Sequence, residues 1–115
     1  MTDPAAFAAR WVADWNAHDL DAILDHYAPD VDFRSPKVVR FTNGATDRFT
    51  ARDQLRPYFA HGLSLRPGLH FDLAHICRDG AGLALVYADE TGAQVVETMD
   101  LDGDGRVARA RVFYG

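Results

Sequence analysis

The chain has 115 residues, enough for one domain around one modest core, and 48% hydrophobic with 25% charged residues is the composition of an ordinary globular protein. Its net charge of -5 is repelled by phosphate backbones and by anionic lipid, which argues against nucleic acid and membrane surfaces as partners. A lone cysteine, Cys77, excludes an intrachain disulfide and favours a reducing compartment.

The opening "MTDPAAFAARWVADW" lacks the basic start and apolar run of a signal peptide, and no apolar stretch approaches membrane-spanning length, so a cytoplasmic protein is expected. Asp3-Pro4 is a helix start, a capping carboxylate followed by proline in the first turn. Phe7, Trp11 and Trp15 then recur at i, i+4, i+8 as one aromatic stripe. Asn16-Ala17-His18 interrupts the pattern, and Asp19 caps a second helix carrying Leu20, Ile23, Leu24 and Tyr27, which Pro29 ends.

"VDFRSP" reads as a strand over 31–35. Alternation puts Val31, Phe33 and Ser35 on the inner face and Asp32 and Arg34 on the outer one. A second extended piece is predicted over 38–42, and "NGATD", 43–47, is turn chemistry. Thr50 and Asp53 resemble a capping box for a third helix to about His61. Leu55, Tyr58 and Phe59 form its buried side, Pro57 kinks or shortens it, and Gly62 closes it. From Leu69 on the pattern is β, with strands at 69–78, 83–90, 94–101 and 106–114 joined by "DGAG", "ETGA" and "DGDG". Segregated helices and a mostly antiparallel sheet give a single α+β domain over 1–115, helices packed on one sheet face.

The strand 94–101 carries the most chemistry. Val95, Met99 and Leu101 alternate with Glu97 among them, and a carboxyl on an apolar face loses hydration and holds its proton more tightly. The alternatives are a pocket acid, a glutamate at a sheet edge, or a strand whose buried side is the opposite face with Val96 and Thr98. On the last strand Ala108, Ala110, Val112 and Tyr114 share a face, where two alanines leave room for a cavity wall or for a helix. Arg109, Arg111 and Phe113 point the other way, which suits solvent or a dimer contact. His75 and Cys77 share a face with Leu69, Phe71 and Leu73. With no second cysteine and no ligand spacing, Cys77 reads as a small buried hydrophobe and no metal is expected. "DLDGDG", 100–105, begins like a calcium loop, but Arg111 stands where the twelfth-position glutamate belongs, so a hairpin turn is the better reading. His26 is a candidate for a pocket mouth. Hydrolase-elbow and nucleotide motifs do not occur.

The stretches "WVADWNAHDLDAILDHYAPDVDFRSP", 11–36, and the terminal "GRVARARVFYG" resemble the NTF2-like superfamily, in its SnoaL-like and ketosteroid-isomerase-like branch. The resemblance implies a cone-shaped, curved sheet wrapped by three helices, a pocket within it, and homodimerisation through the outer sheet face. In the isomerases of that branch a carboxylate base removes a proton beside a carbonyl, while a tyrosine and a protonated aspartate hold the oxyanion. By alignment the base position is Ser35, the tyrosine position Trp11 and the aspartate position Glu97. Supporting tyrosines fall at Tyr27, kept, and Phe59, lost. A serine without an adjacent base does not deprotonate carbon, so the isomerase reaction does not transfer.

Three functions follow: a cofactor-independent acid/base enzyme on an apolar oxygenated molecule, a non-catalytic binder of such a molecule, or a dimeric interaction domain. Glu97, Ser35 and Tyr27 are the candidate catalytic residues. Trp11, Trp15, Phe33, Tyr58, Phe59, Met99, Ala110 and Tyr114 are the candidate ligand contacts, although the aromatics equally suit plain core filling.

Overall fold

Helix α1 (Pro4–Asn16) starts where its cap places it: Asp3 is extended and its carboxylate accepts from the Ala5 N–H at 3.2 Å. The structure, a computed structural model, describes residues 3–115. Asp19 likewise caps α2 (Leu20–Asp25), its carboxylate accepting from the Ala22 N–H at 3.2 Å. The chain between them turns through His18 at a φ of 56°, held by a 2.8 Å contact from its ring to the Leu69 carbonyl oxygen.

Helix α2 is shorter than the sequence pattern predicts. Tyr27 belongs to β1 (Tyr27–Arg34), and Pro29 sits inside that strand rather than stopping the helix. Proline is tolerated there because the pairing register shifts between Tyr27 and Asp32 and Pro29 is exposed. Beyond the shift Val31 and Phe33 point inward as their alternation requires, and Ser35 is buried at 1% exposure.

The predicted extended piece at 38–42 is instead a helix, α3 (Pro36–Phe41). Ser35 is its N-cap, accepting from the Lys37 N–H at 3.3 Å, and Pro36 is its first residue. Cap and proline outweigh the β-branched Val38-Val39, whose strand preference is only a weak bias. After the short β2 (Arg48–Phe49), α4 (Arg52–Leu65) starts at Ala51 with no side-chain cap, so the Thr50–Asp53 capping box does not form. Gln54 Oε1 accepts from the Thr50 N–H at 2.9 Å instead. Neither Pro57 nor Gly62 ends α4, which runs on to Leu65. Among the described residues there are therefore four helices where three are predicted.

The strands β3 (Asp72–Asp79), β4 (Gly82–Ala88), β5 (Gln94–Leu101) and β6 (Val107–Tyr114) follow. The sheet order is β2-β1-β6-β5-β4-β3, with β1 and β6 parallel and every other pair antiparallel. The sheet is curved but does not close, leaving β2 and β3 as edges. Helix α1 packs on α2 and toward β3, and α4 packs on α2, β1 and β2. Phe7, Trp11, Ile23, Tyr27, Val31, Leu55, Leu85 and Val107 are all but sealed from solvent. Burying each large apolar side chain contributes about 1.5–3 kcal/mol.

Two irregularities change which residues face inward. A register shift between Leu73 and His75 breaks the alternation of β3, so His75 and Cys77 face solvent. The reading of Cys77 as a buried hydrophobe is thereby corrected. A second shift, between Asp100 and Leu101 against β6, makes Val107 and Ala110 the buried pair and leaves Ala108 half-buried. The "DGDG" segment is a turn in which Asp102 Oδ1 accepts from the Asp104 and Arg106 N–H groups at 2.9 and 3.0 Å. No helix among the described residues is long and apolar enough to cross a membrane.

Candidate functional site: an aromatic cavity with a buried carboxyl

Strand β5 sends Val95, Glu97 and Met99 to the helix-covered face, and Glu97 is only 4% exposed. Leu85 of β4 and Val112 of β6 flank it across the sheet. Tyr87, two residues beyond Leu85 on the same face, reaches it diagonally, and its hydroxyl donates to Glu97 Oε1 at 3.1 Å. Glu97 Oε2 is sealed from solvent and has no hydrogen-bond partner among the described residues. Burial pushes the Glu97 carboxyl up to about 8, against a weaker downward pull from the Tyr87 hydrogen bond. At neutral pH the group is therefore mostly protonated. Tyr87 occupies Oε1, so the proton belongs on Oε2.

Around this carboxyl lies a cavity of about 490 Å³. Helix α1 contributes Trp11 and Trp15 to its wall, β1 contributes Tyr27 and Phe33, and α4 contributes Tyr58 and Phe59. Glu97 and Tyr114 complete the set of sequence candidates that line it. The rings hold one another in place: Trp15 meets Phe59 edge-on at 4.9 Å, and Trp11 stacks on Phe71 at 5.8 Å. The Trp11 N–H donates to the Tyr27 hydroxyl at 3.1 Å. The Trp15 N–H lies close enough to that oxygen to favour its charged form but makes no hydrogen bond, and it has no partner among the described residues.

Burial raises Tyr27, Tyr58, Tyr87 and Tyr114 above the ordinary tyrosine range, and at the higher pH where Glu97 is ionised its charge adds to the rise in all four. Four phenols therefore keep their protons near one protonated acid. The site is a set of neutral donors in an apolar shell, suited to an acceptor oxygen or to an oxygen on which negative charge develops.

Four candidates lie apart from the cavity wall. Ser35 caps α3, and its hydroxyl is 3.5 Å from the Tyr114 hydroxyl behind the lining. Met99 and Ala110 are buried opposite each other in the β5–β6 pair but do not line the cavity. His26, the candidate for the mouth, bonds Asp14 at 2.7 Å and packs edge-on against Phe7. The sequence reading passed over Tyr87, Phe71, Lys37, Arg40 and Arg66, all of which line the cavity. For Tyr87 a signal existed: Leu83, Leu85 and Tyr87 alternate inward along β4, on the face that Glu97 shares.

With this geometry the protein is comparable to known structures. A SnoaL-like protein of unknown function from Burkholderia thailandensis superposes with a TM-score of 0.91 at 32% identity, over 100% of this chain and 98% of that one. Two more distant structures share the fold. AclR, a putative hydroxylase from Streptomyces galilaeus, has a TM-score of 0.76 at 21% identity, over 97% of this chain and 88% of that one. SalBIII, an epoxide hydrolase/cyclase-like enzyme of pyran ring formation in the polyether salinomycin, has a TM-score of 0.74 at 19% identity, over 97% and 90%. No curated protein matches the sequence. Residues 8–114 match the SnoaL-like domain, and with a near-complete superposition on a SnoaL-like structure the conclusion is plain: the chain belongs to the SnoaL-like family.

Proposed function

We propose that the protein takes an apolar, oxygen-bearing small molecule into the aromatic cavity and holds that oxygen against the protonated carboxyl of Glu97. The observation that carries this reading is Glu97 Oε2, a buried polar atom with no partner among the described residues, on a residue that lines the cavity among its aromatic rings. A buried donor left unmade costs about 1–3 kcal/mol, and a ligand acceptor recovers it. The chemistry on offer is acid catalysis without a cofactor. A carboxyl that lends its proton to an oxygen as negative charge develops there lowers the barrier to isomerisation, ring closure or dehydration. Ser35 is engaged in capping and supplies no base. The fold-mates AclR and SalBIII, a putative hydroxylase and a cyclase-like enzyme, fit a small-molecule site.

The test uses two probes of nearly equal shape, 2-acetylnaphthalene and 2-ethylnaphthalene, followed by the fluorescence of the cavity tryptophans. The ketone is expected to bind about tenfold more tightly than the hydrocarbon, and Glu97→Met is expected to abolish the difference. Equal affinity of the two probes for the unaltered protein, or no binding of either, overturns the reading.

A second reading concerns assembly, with the outer sheet face as a homodimer contact. Pairing register sets Phe113, Val96, Val86 and His75 side by side across β6 to β3, a largely apolar row on the face away from the helices. Phe113 is 42% exposed, with the Arg111 guanidinium 4.8 Å from its ring centre. Such a row lined by small Ala84 and Thr98 is flat enough for a second copy to lie on. Light scattering is expected to give a dimer mass, and Val96→Arg a monomer. A monomeric unaltered protein at tens of micromolar counts against it.

A further inference from the structure

The cavity's charges are one-sided. The whole chain has 17 acids against 12 lysines and arginines. Yet the cavity lining carries Lys37, Arg40 and Arg66, and its single acid is the neutral, buried Glu97. Arg66 is occupied, pairing with Asp89 at 3.1 Å and Glu90 at 2.7 Å. Lys37 and Arg40 have no acid partner among the described residues. They stand three residues apart on α3, where like charges face one another and repel. The Lys37 ammonium sits 4.4 Å from the centre of the Tyr114 ring, itself part of the cavity wall. Partial burial beside the cavity removes some of its hydration, which is the first cause of its lowered pKa. Arg66 repels Lys37, Asp89 and Glu90 attract it but are engaged by Arg66, and Arg40 adds to the positive side. An anion between Lys37 and Arg40 would relieve both the repulsion and the lost hydration.

Resting on the binding reading above, we propose that the ligand is an apolar acid: an aromatic or polycyclic body among the rings, a neutral oxygen at Glu97, and a carboxylate or comparable anion at Lys37 and Arg40. The two ends of the cavity are then chemically distinct. The buried end offers a protonated donor and rejects negative charge, because Glu97 cannot ionise there cheaply. The α3 end offers cations and selects negative charge. A ligand with both features has one orientation, and an acid without the neutral oxygen or a ketone without the acid loses one of the two fixed points.

The experiment compares 2-acetylnaphthalene with 6-acetyl-2-naphthoic acid at pH 7. In low salt the acid is expected to bind about tenfold more tightly than the ketone, the size two partly exposed ion pairs supply. That advantage should shrink severalfold in 0.5 M sodium chloride, as screening requires. In the double variant K37Q/R40Q the affinity ratio should fall toward one. Lys37 and Arg40 are exposed, so the variant keeps the core intact, and its far-ultraviolet circular dichroism checks this. If acid and ketone bind the unaltered protein equally, the anion site is overturned while the cavity reading stands. An acid preference that survives in K37Q/R40Q also overturns it. Binding of neither probe overturns both.

Discussion

Glu97→Gln is expected to stabilise the protein at pH 8 by about 3–5 kcal/mol, and to change stability little at pH 4. The sign follows from linkage. In the unfolded chain glutamate ionises near its ordinary pKa, roughly 4.3. In the fold burial holds the Glu97 proton up to about 8. Between those values the unfolded state releases a proton that the folded state keeps, so stability is full below the lower value and falls as pH rises toward the upper one. Each unit of separation is worth about 1.4 kcal/mol, and Glu97, at 4% exposure, has almost no solvent to screen it. Glutamine has nearly the same shape, accepts from Tyr87 and cannot ionise, so it removes the loss. The acids held below their usual range, Asp47, Asp89 and Glu90, act in the opposite sense and at lower pH, where protonating them costs stability. The two effects therefore occupy separate windows. Urea unfolding of both proteins at pH 5, 6.5 and 8 makes the comparison. Parallel curves across that range would mean that Glu97 is ionised in the fold, and the donor role assigned to it would fall.

The position of Glu97 was readable because β5 is regular: the strand spans 94–101 as its alternation predicts, and its inner face carries Val95, Glu97 and Met99. Where a strand contains an irregularity the same reasoning fails. One shift after Leu73 turned Cys77 from the face of Phe71 to solvent, and nothing in "LAHICR" announces it. The α3 error differs in kind. Ser35-Pro36 suits a helix start as well as a strand end, and Val38-Val39-Arg40-Phe41 alternates well enough to pass for a strand, so local preference and the cap point to different structures. That error also hid the cations, since Lys37 and Arg40 reach the cavity only from a helix at that place. The partnership of Tyr87 and Glu97 depends on register between two strands, which alternation within either strand does not supply. Local periodicity thus reveals which way a side chain points. Which side chains then meet is decided by pairing and by bulges, and the candidate site is made of such meetings.

The same substitution at the two tryptophans should give unequal results, and the inequality separates a working cavity from a filled core. Trp11→Phe is expected to cost about 2–3 kcal/mol, and Trp11→Ala about 3–5 kcal/mol. Trp11 is 1% exposed, stacks on Phe71 and donates the 3.1 Å hydrogen bond to Tyr27, so phenylalanine loses volume and strands a buried hydroxyl oxygen. Trp15→Phe loses a similar volume but also removes a buried N–H that has no partner among the described residues. Relief of that donor offsets most of the packing loss, and the net change should stay within about 1 kcal/mol. Ligand affinity should respond in the reverse order if the Trp15 N–H is held for an acceptor: Trp15→Phe then weakens 2-acetylnaphthalene severalfold while hardly touching stability. Stability is read by urea unfolding and affinity by ligand-induced thermal shift, which does not depend on the removed fluorophore. Equal destabilisation by Trp11→Phe and Trp15→Phe would mean that the Trp15 N–H is satisfied in the free protein. The residues around it would then be core packing, and the cavity would have lost one of the two buried polar side-chain atoms without a partner among the described residues.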